Sequence, residues 1–286
     1  MLSGMPLLRS RLALAIACVL VMSTAGAYQG DSRGDANAYA ERITDSSEAQ
    51  VLVDDLPLSG GGFQRVLYAA PTHAMRGVIV MFPGGTDELG IEKNGAIRHG
   101  ENFLVRTRAH WLARGYGVVL VDAIDRQSMR SERSTAAYGE VTQEILAFAR
   151  EHAQVPVWVM GTSQGSIAAV NAAAHADRGD IAGLILTESV SVLGGSHETV
   201  FDAHPEEVRV PTLVVANDND QCRVAPPAMA DAIARSLNQI SASVLRVHGG
   251  EQQSSNACGS LSPHGYLGIE DSVIDAVVDW MEKTQA

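Results

Sequence analysis

Gly161-Thr162-Ser163-Gln164-Gly165 is a G-x-S-x-G turn, preceded by the apolar run Val155 to Met160 and followed by the small-residue run Ile167 to Ala174. A strand, a tight turn and a helix in that order present a serine hydroxyl at the carboxyl end of a sheet, and the flanking glycines let strand and helix approach closely. The letters alone are common; their placement between strand and helix makes Ser163 the candidate nucleophile. A serine attacks only when a base takes its proton and a carboxylate orients that base. Two aspartates qualify, Asp218 and Asp220, both just beyond the apolar run Thr212 to Val215. Two histidines qualify, His248 at the end of a later strand and His264 in Ser262-Pro263-His264-Gly265-Tyr266. His264 is favoured, because it lies shortly before the terminal helix, where a loop can swing its ring over Ser163. Negative charge developing on a carbonyl oxygen would need two backbone N–H groups. Gln164, next to the serine, supplies one; Gly85, in the turn Phe82-Pro83-Gly84-Gly85-Thr86, supplies the other, with Thr86 adjacent.

These residues must be held by strands and helices that alternate along the chain. Val51 to Val53 and Phe63 to Tyr68 read as an opening hairpin around Gly60-Gly61-Gly62. Gly77 to Phe82 and Gly117 to Val121 are continuous apolar runs, as strands covered on both faces require. Helical spacing runs from Phe103 to Arg114, and again from about Thr135 to His152 with Val141, Ile145, Leu146 and Phe148 as its stripe. Further strands follow at Ile181 to Leu186, Thr212 to Val215 and Ser243 to Val247; a last helix starts near Glu270 and buries Val273, Val277, Val278 and Met281. The pattern predicts an α/β fold, a mostly parallel central sheet with helices on both faces. Only about two dozen residues separate the strands at Ile181 and Thr212, too few for a large cap domain.

A chain of 286 residues with 46% hydrophobic residues can bury a sizeable core, and it fits one catalytic-size domain. Residues 1–27 read as an export signal: Arg9 and Arg11, an apolar stretch from Leu12 to Met22, then Ala25-Gly26-Ala27. That stretch is too short for a permanent membrane span, so no stable span is expected. Cys18 raises a lipid-anchor alternative, but Ala15-Ile16-Ala17-Cys18 lacks the usual leucine. The expected location is therefore periplasmic or secreted. Residues 28–48 are small and polar, a lead-in to a single domain at 49–286. Beyond residue 27 the chain carries 19 basic against 33 acidic residues, a balance that repels nucleic acid and anionic membranes. Cys222 and Cys258, delivered to an oxidising compartment, are expected to form a disulfide. With no H-x-x-x-H pair and no cysteine cluster, no metal is called for; without a G-x-G-x-x-G or a lysine-bearing phosphate loop, neither is a nucleotide cofactor. The expected partner is a small ester-like molecule, and the oligomeric state is left open.

Taken together, these residues resemble the α/β-hydrolase superfamily over nearly everything from about residue 50 onward. The resemblance implies a serine hydrolase working through an acyl-enzyme, with Ser163 as nucleophile, Asp220 as acid, His264 as base, and Gly85 and Gln164 at the oxyanion hole. Asp220 is preferred to Asp218 because Val224-Ala225-Pro226-Pro227 opens a helix at the spacing these enzymes use after their acid. Exported bacterial esterase-like and dienelactone-hydrolase-like members are the most similar, although dienelactone hydrolases use a cysteine where this chain has Ser163. Pro83 also stands where many members have histidine. Since Cys222 is two residues past Asp220 and Cys258 six before His264, their bridge would tie the acid loop to the base loop.

Overall fold

The computed structural model describes residues 49–285 apart from 238, 239 and 241. Residues 1–27, expected as an export signal, and 28–48, expected as a lead-in, both lie outside the described residues.

Eight strands form one sheet: β1 (Ala49–Pro57), β2 (Phe63–Pro71), β3 (Gly77–Phe82), β4 (Tyr116–Val121), β5 (Val157–Thr162), β6 (Gly183–Thr187), β7 (Thr212–Asn217) and β8 (Ala242–Val247). Their spatial order is β1-β2-β4-β3-β5-β6-β7-β8. β2 runs against both of its neighbours and the remaining pairings are parallel. Val78, Val80 and Phe82 of β3 enter one core while Ile79 and Met81 enter the other, which is why the strand reads as an unbroken apolar run.

Among the described residues, six α-helices cover the two faces. On one side lie α3 (Ala136–His152), α4 (Gly165–His175) and α5 (Ala230–Ser236), contributing Ile145, Leu146, Ile167, Val170 and Ile233 to the core. On the other lie α1 (Phe103–Arg106), α2 (Arg108–Ala113) and α6 (Glu270–Gln285), contributing Phe103, Trp111, Val273, Ile274, Val277 and Met281. The helix expected over Phe103 to Arg114 is thus two short ones. Thr107 breaks it, with φ −94° and ψ 3°, and its hydroxyl donates to the Phe103 carbonyl at 2.6 Å alongside its own N–H at 3.1 Å. Between β6 and β7 the chain makes only two 3₁₀ turns, Val200–Asp202 and Pro205–Glu207, so no cap domain covers the sheet there.

The strand order places the site. From β3 the chain moves outward to β4, then returns to the opposite side of β3 to form β5. The loops leaving the carboxyl ends of β3 and β5 therefore diverge, and a crevice opens between them. The β3 loop contains Gly84 and Gly85; the β5 turn contains Ser163.

Candidate active site

Ser163 occupies the left-handed region, with φ 52°, a conformation a non-glycine residue adopts only when its surroundings impose it. Its N–H donates to Thr187 at the end of β6 (2.9 Å), and its carbonyl accepts from the Ser166 N–H (3.1 Å) and hydroxyl (2.6 Å). The turn can be this tight because of its two glycines. A Cβ on Gly165 would come within 2.0 Å of the Phe82 carbonyl oxygen, and one on Gly161 within 2.4 Å of the Gly165 carbonyl oxygen. Strand β3, strand β5 and helix α4 thus meet at backbone distance. Helix α4 is buried from Gly165 to Ala173, and its alanines let it lie flat on the sheet.

The structure brings Ser163, His264 and Asp220 into one line. His264 Nε2 lies 2.9 Å from Ser163 Oγ, and His264 Nδ1 lies 2.7 Å from Asp220 Oδ2. Both His264 and Asp220 are buried, at 3% and 6% exposure. Asp220 Oδ1 accepts the Cys222 N–H at 2.7 Å, so each of its oxygens has a donor. Asp218 and His248 go elsewhere: Asp218 accepts from Arg246 at 2.9 Å, and His248 stands exposed, 3.5 Å from Asp218.

The loop after β3 closes against Ser163. A Cβ on Gly84 would sit 2.9 Å from Ser163 Cβ and 3.0 Å from the Thr162 carbonyl oxygen. Gly85 follows with φ 79°. That conformation turns the chain back at the place where the second N–H donor is expected.

Arg133 fastens this loop to the elbow, a role the sequence did not disclose. It is fully buried, and its guanidinium donates to Asp87 Oδ2 (2.7 Å), the Gly85 carbonyl (2.8 Å) and Gln164 Oε1 (3.2 Å). Burial opposes its charge, but Asp87 beside it and Glu198 beyond more than offset this, so its pKa is raised and the guanidinium stays charged. Arg133 therefore grips both residues expected to hold an oxyanion. If Gly85 and Gln164 hold an oxyanion as expected, Arg133→Met should lower kcat for ester hydrolysis ~10-fold with KM little changed. It should also cost about 3–5 kcal/mol in a denaturant titration, since Asp87 and Glu198 lose their buried partner.

The turn that carries His264 is held from three sides. Asn217 Nδ2 donates to the Gly249 carbonyl (2.9 Å) and the Pro263 carbonyl (3.0 Å); Arg106 donates to the Gly265 carbonyl and pairs with Glu270 at 2.9 Å. The third tie is the Cys222–Cys258 disulfide, which links the loop of Asp220 to that of His264. Replacing both cysteines by serine should remove about 2–5 kcal/mol of stability. Reductant should then lower the denaturation midpoint of the parent and leave that of the variant unmoved.

Among the described residues, the grouping whose donor atoms could converge on a cation is Glu188, Asp220 and His264, within 4.8 Å of one another. All three are buried, and Asp220 and His264 already engage each other.

No family model matches the sequence, and no curated protein matches it either. Solved structures do. A dienelactone hydrolase from Anabaena variabilis ATCC 29413 superposes with a TM-score of 0.55 at 14% identity, over 82% of this chain and 98% of that one. A fungal esterase from Rhizomucor miehei gives 0.57 at 16%, over 88% and 90%. A cold-adapted esterase from an Arctic intertidal metagenomic library gives 0.56 at 15%, over 81% and 95%. At these identities the likeness defines the fold, and the chain has the α/β-hydrolase fold in the form these structures share.

Proposed function

We propose that this protein is a serine hydrolase that cleaves carboxylic esters or thioesters through an acyl-enzyme. The observation that carries the reading is the unbroken hydrogen-bonded line from Ser163 Oγ through His264 to Asp220, set on a strained turn at the switch point of the sheet. His264 Nε2 takes the hydroxyl proton as Ser163 Oγ bonds to the substrate carbonyl carbon. Asp220 accepts from Nδ1, fixing the tautomer and the ring and stabilising the imidazolium. The tetrahedral oxyanion lies between the N–H groups of Gln164 and Gly85, at the N-terminus of α4, whose dipole favours negative charge. Collapse breaks the bond to the leaving alcohol or thiol, which receives the proton from His264. Water then attacks the acyl-enzyme by the same steps in reverse, with His264 as base, and frees the carboxylic acid.

The esterase-like and dienelactone-hydrolase structures named above support hydrolysis as the reaction class. A peptidase reading has its own observation: a puromycin-hydrolysing peptidase of Mycobacterium tuberculosis is similar over 82% of this chain, with a TM-score of 0.57 at 14% identity, though over only 39% of its own length. The same triad would serve an acyl transferase, whereas a binding protein without catalysis has no use for the line from Ser163 to Asp220. A panel of p-nitrophenyl esters of increasing acyl length, thioesters and aminoacyl amides separates these activities. Turnover of esters or thioesters over amides is expected, and preference for the amides would favour the peptidase. We also read the protein as exported to the periplasm or beyond, acting on a small-molecule substrate. The disulfide agrees with an oxidising compartment, and among the described residues no helix is long and apolar enough to cross a membrane.

A further inference from the structure

Glu188 is the first residue past β6, between the strand that steadies Ser163 and the loop that carries Asp220. It is 1% exposed and, like Ser163, holds a left-handed backbone, with φ 43°. Its Oε1 accepts the Asn217 N–H at 2.7 Å, while Oε2 is buried with no hydrogen-bond donor. A carboxyl oxygen of Glu188 lies within 4.8 Å of one on Asp220 and of a ring nitrogen of His264. The groups facing it are Asp220 from the loop after β7, and His264 and Tyr266 from the turn before α6.

Two buried carboxyls this close do not both ionise; one keeps a proton. The two are not equivalent. Asp220 has a donor on each oxygen, the Cys222 N–H and the His264 ring, whereas Glu188 has one close donor, the Asn217 N–H on Oε1, with the Tyr266 hydroxyl, 3.5 Å from the Val215 carbonyl, as its other polar neighbour. The negative charge therefore belongs on Asp220. Burial first, then the charge of Asp220, holds Glu188 well above the usual carboxylate range, against the opposing pull of the Tyr266 hydroxyl and the Asn217 N–H.

We propose that Glu188 is a neutral carboxylic acid that donates its proton in a hydrogen bond to Asp220, a positioning residue that keeps the acid fixed behind His264 and takes up part of its charge. The proposal rests on the reading of Asp220 and His264 as acid and base. It accounts for a carboxyl that would otherwise bury an unsatisfied oxygen beside another carboxylate.

Glu188→Gln and Glu188→Leu test it. The amide keeps an N–H for Asp220 and a carbonyl for the Asn217 N–H; the leucine keeps neither. Glu188→Leu should lower kcat/KM for a p-nitrophenyl ester ~10-fold or more, and Glu188→Gln should restore it to within about threefold of the parent. In the free protein, the His264 ring titration followed by NMR should lie within about 0.3 pH units in parent and Glu188→Gln, because no charge has been removed. A fall of about one unit or more would mean that the parent carries an ionised Glu188, and would overturn the proposal. Thermal stability gives a second readout. A folded-state pKa raised above the unfolded value of about 4.3 adds stability that is complete below that pH and is lost as the pH rises towards the folded pKa. The melting temperature of Glu188→Gln relative to the parent should therefore climb from pH 5 to pH 8; a flat or falling difference contradicts the proposal. Failure of Glu188→Gln to fold where the parent folds contradicts it too, since an amide is the closest stand-in for a protonated carboxyl. Titration and melting need no turnover, so an inactive parent would sink the hydrolase reading and leave the proton assignment to be decided by these two measurements.

Discussion

Ser163→Ala should lower kcat/KM for short p-nitrophenyl esters by about 10⁴-fold or more, leaving only what the oxyanion donors and substrate binding supply. The size follows from the site. The side chain of Ser163 has one partner, His264 at 2.9 Å, and removing Oγ leaves nothing to form the acyl-enzyme. The fold should survive, because the turn is shaped by its main-chain bonds to Thr187 and Ser166 and by the glycines at 161 and 165. Alanine bears the left-handed backbone much as serine does, so a stability change within about 1 kcal/mol is expected. Denaturant titration beside the ester assay separates loss of chemistry from loss of structure.

His264→Ala should cost about 10³–10⁶-fold in kcat, while His248→Ala stays within about twofold of the parent. His264 joins nucleophile to acid, and its removal breaks both contacts of the line. His248 is exposed and reaches only Asp218, in a surface group with Arg246 and Asp231. The aspartates should follow suit: Asp220→Asn presents an N–H where Nδ1 needs an acceptor and should lower kcat by about 10²–10⁴-fold. Asp218→Asn should disturb only its surface contacts with Arg246 and His248, worth about 0–1 kcal/mol each. Side-by-side kinetics of the four variants measures which histidine and which carboxylate do the chemistry.

Much of this arrangement was legible before the structure. The doubly covered strands β3, β4 and β5 are apolar at every position or nearly so, and the elbow glycines sit where backbones meet. Asp220 was preferred to Asp218 for the proline-containing helix start that follows it, and His264 to His248 for its place shortly before the terminal helix. The residues that hold them were not legible. Arg133 lies in a polar stretch, Ser131-Glu132-Arg133-Ser134, that reads as solvated loop, and its partner Asp87 is 46 positions away. Glu188 looks like an ordinary strand end, and Asn217 and Arg106 act through carbonyls that no side-chain pattern encodes. Local spacing reports which face a residue takes; it carries no information on long-range polar pairs. The break at Thr107 was not legible either, because the apolar spacing runs on unchanged through it.

The most direct test of the central claim is labelling with a fluorophosphonate, followed by peptide mass spectrometry of the intact and His264→Ala proteins. The phosphonyl group should be found on Ser163 in the parent and be largely lost when His264 is absent, because the hydroxyl then has no base. An unlabelled parent, or a label on another serine with Ser163 untouched, would contradict the account.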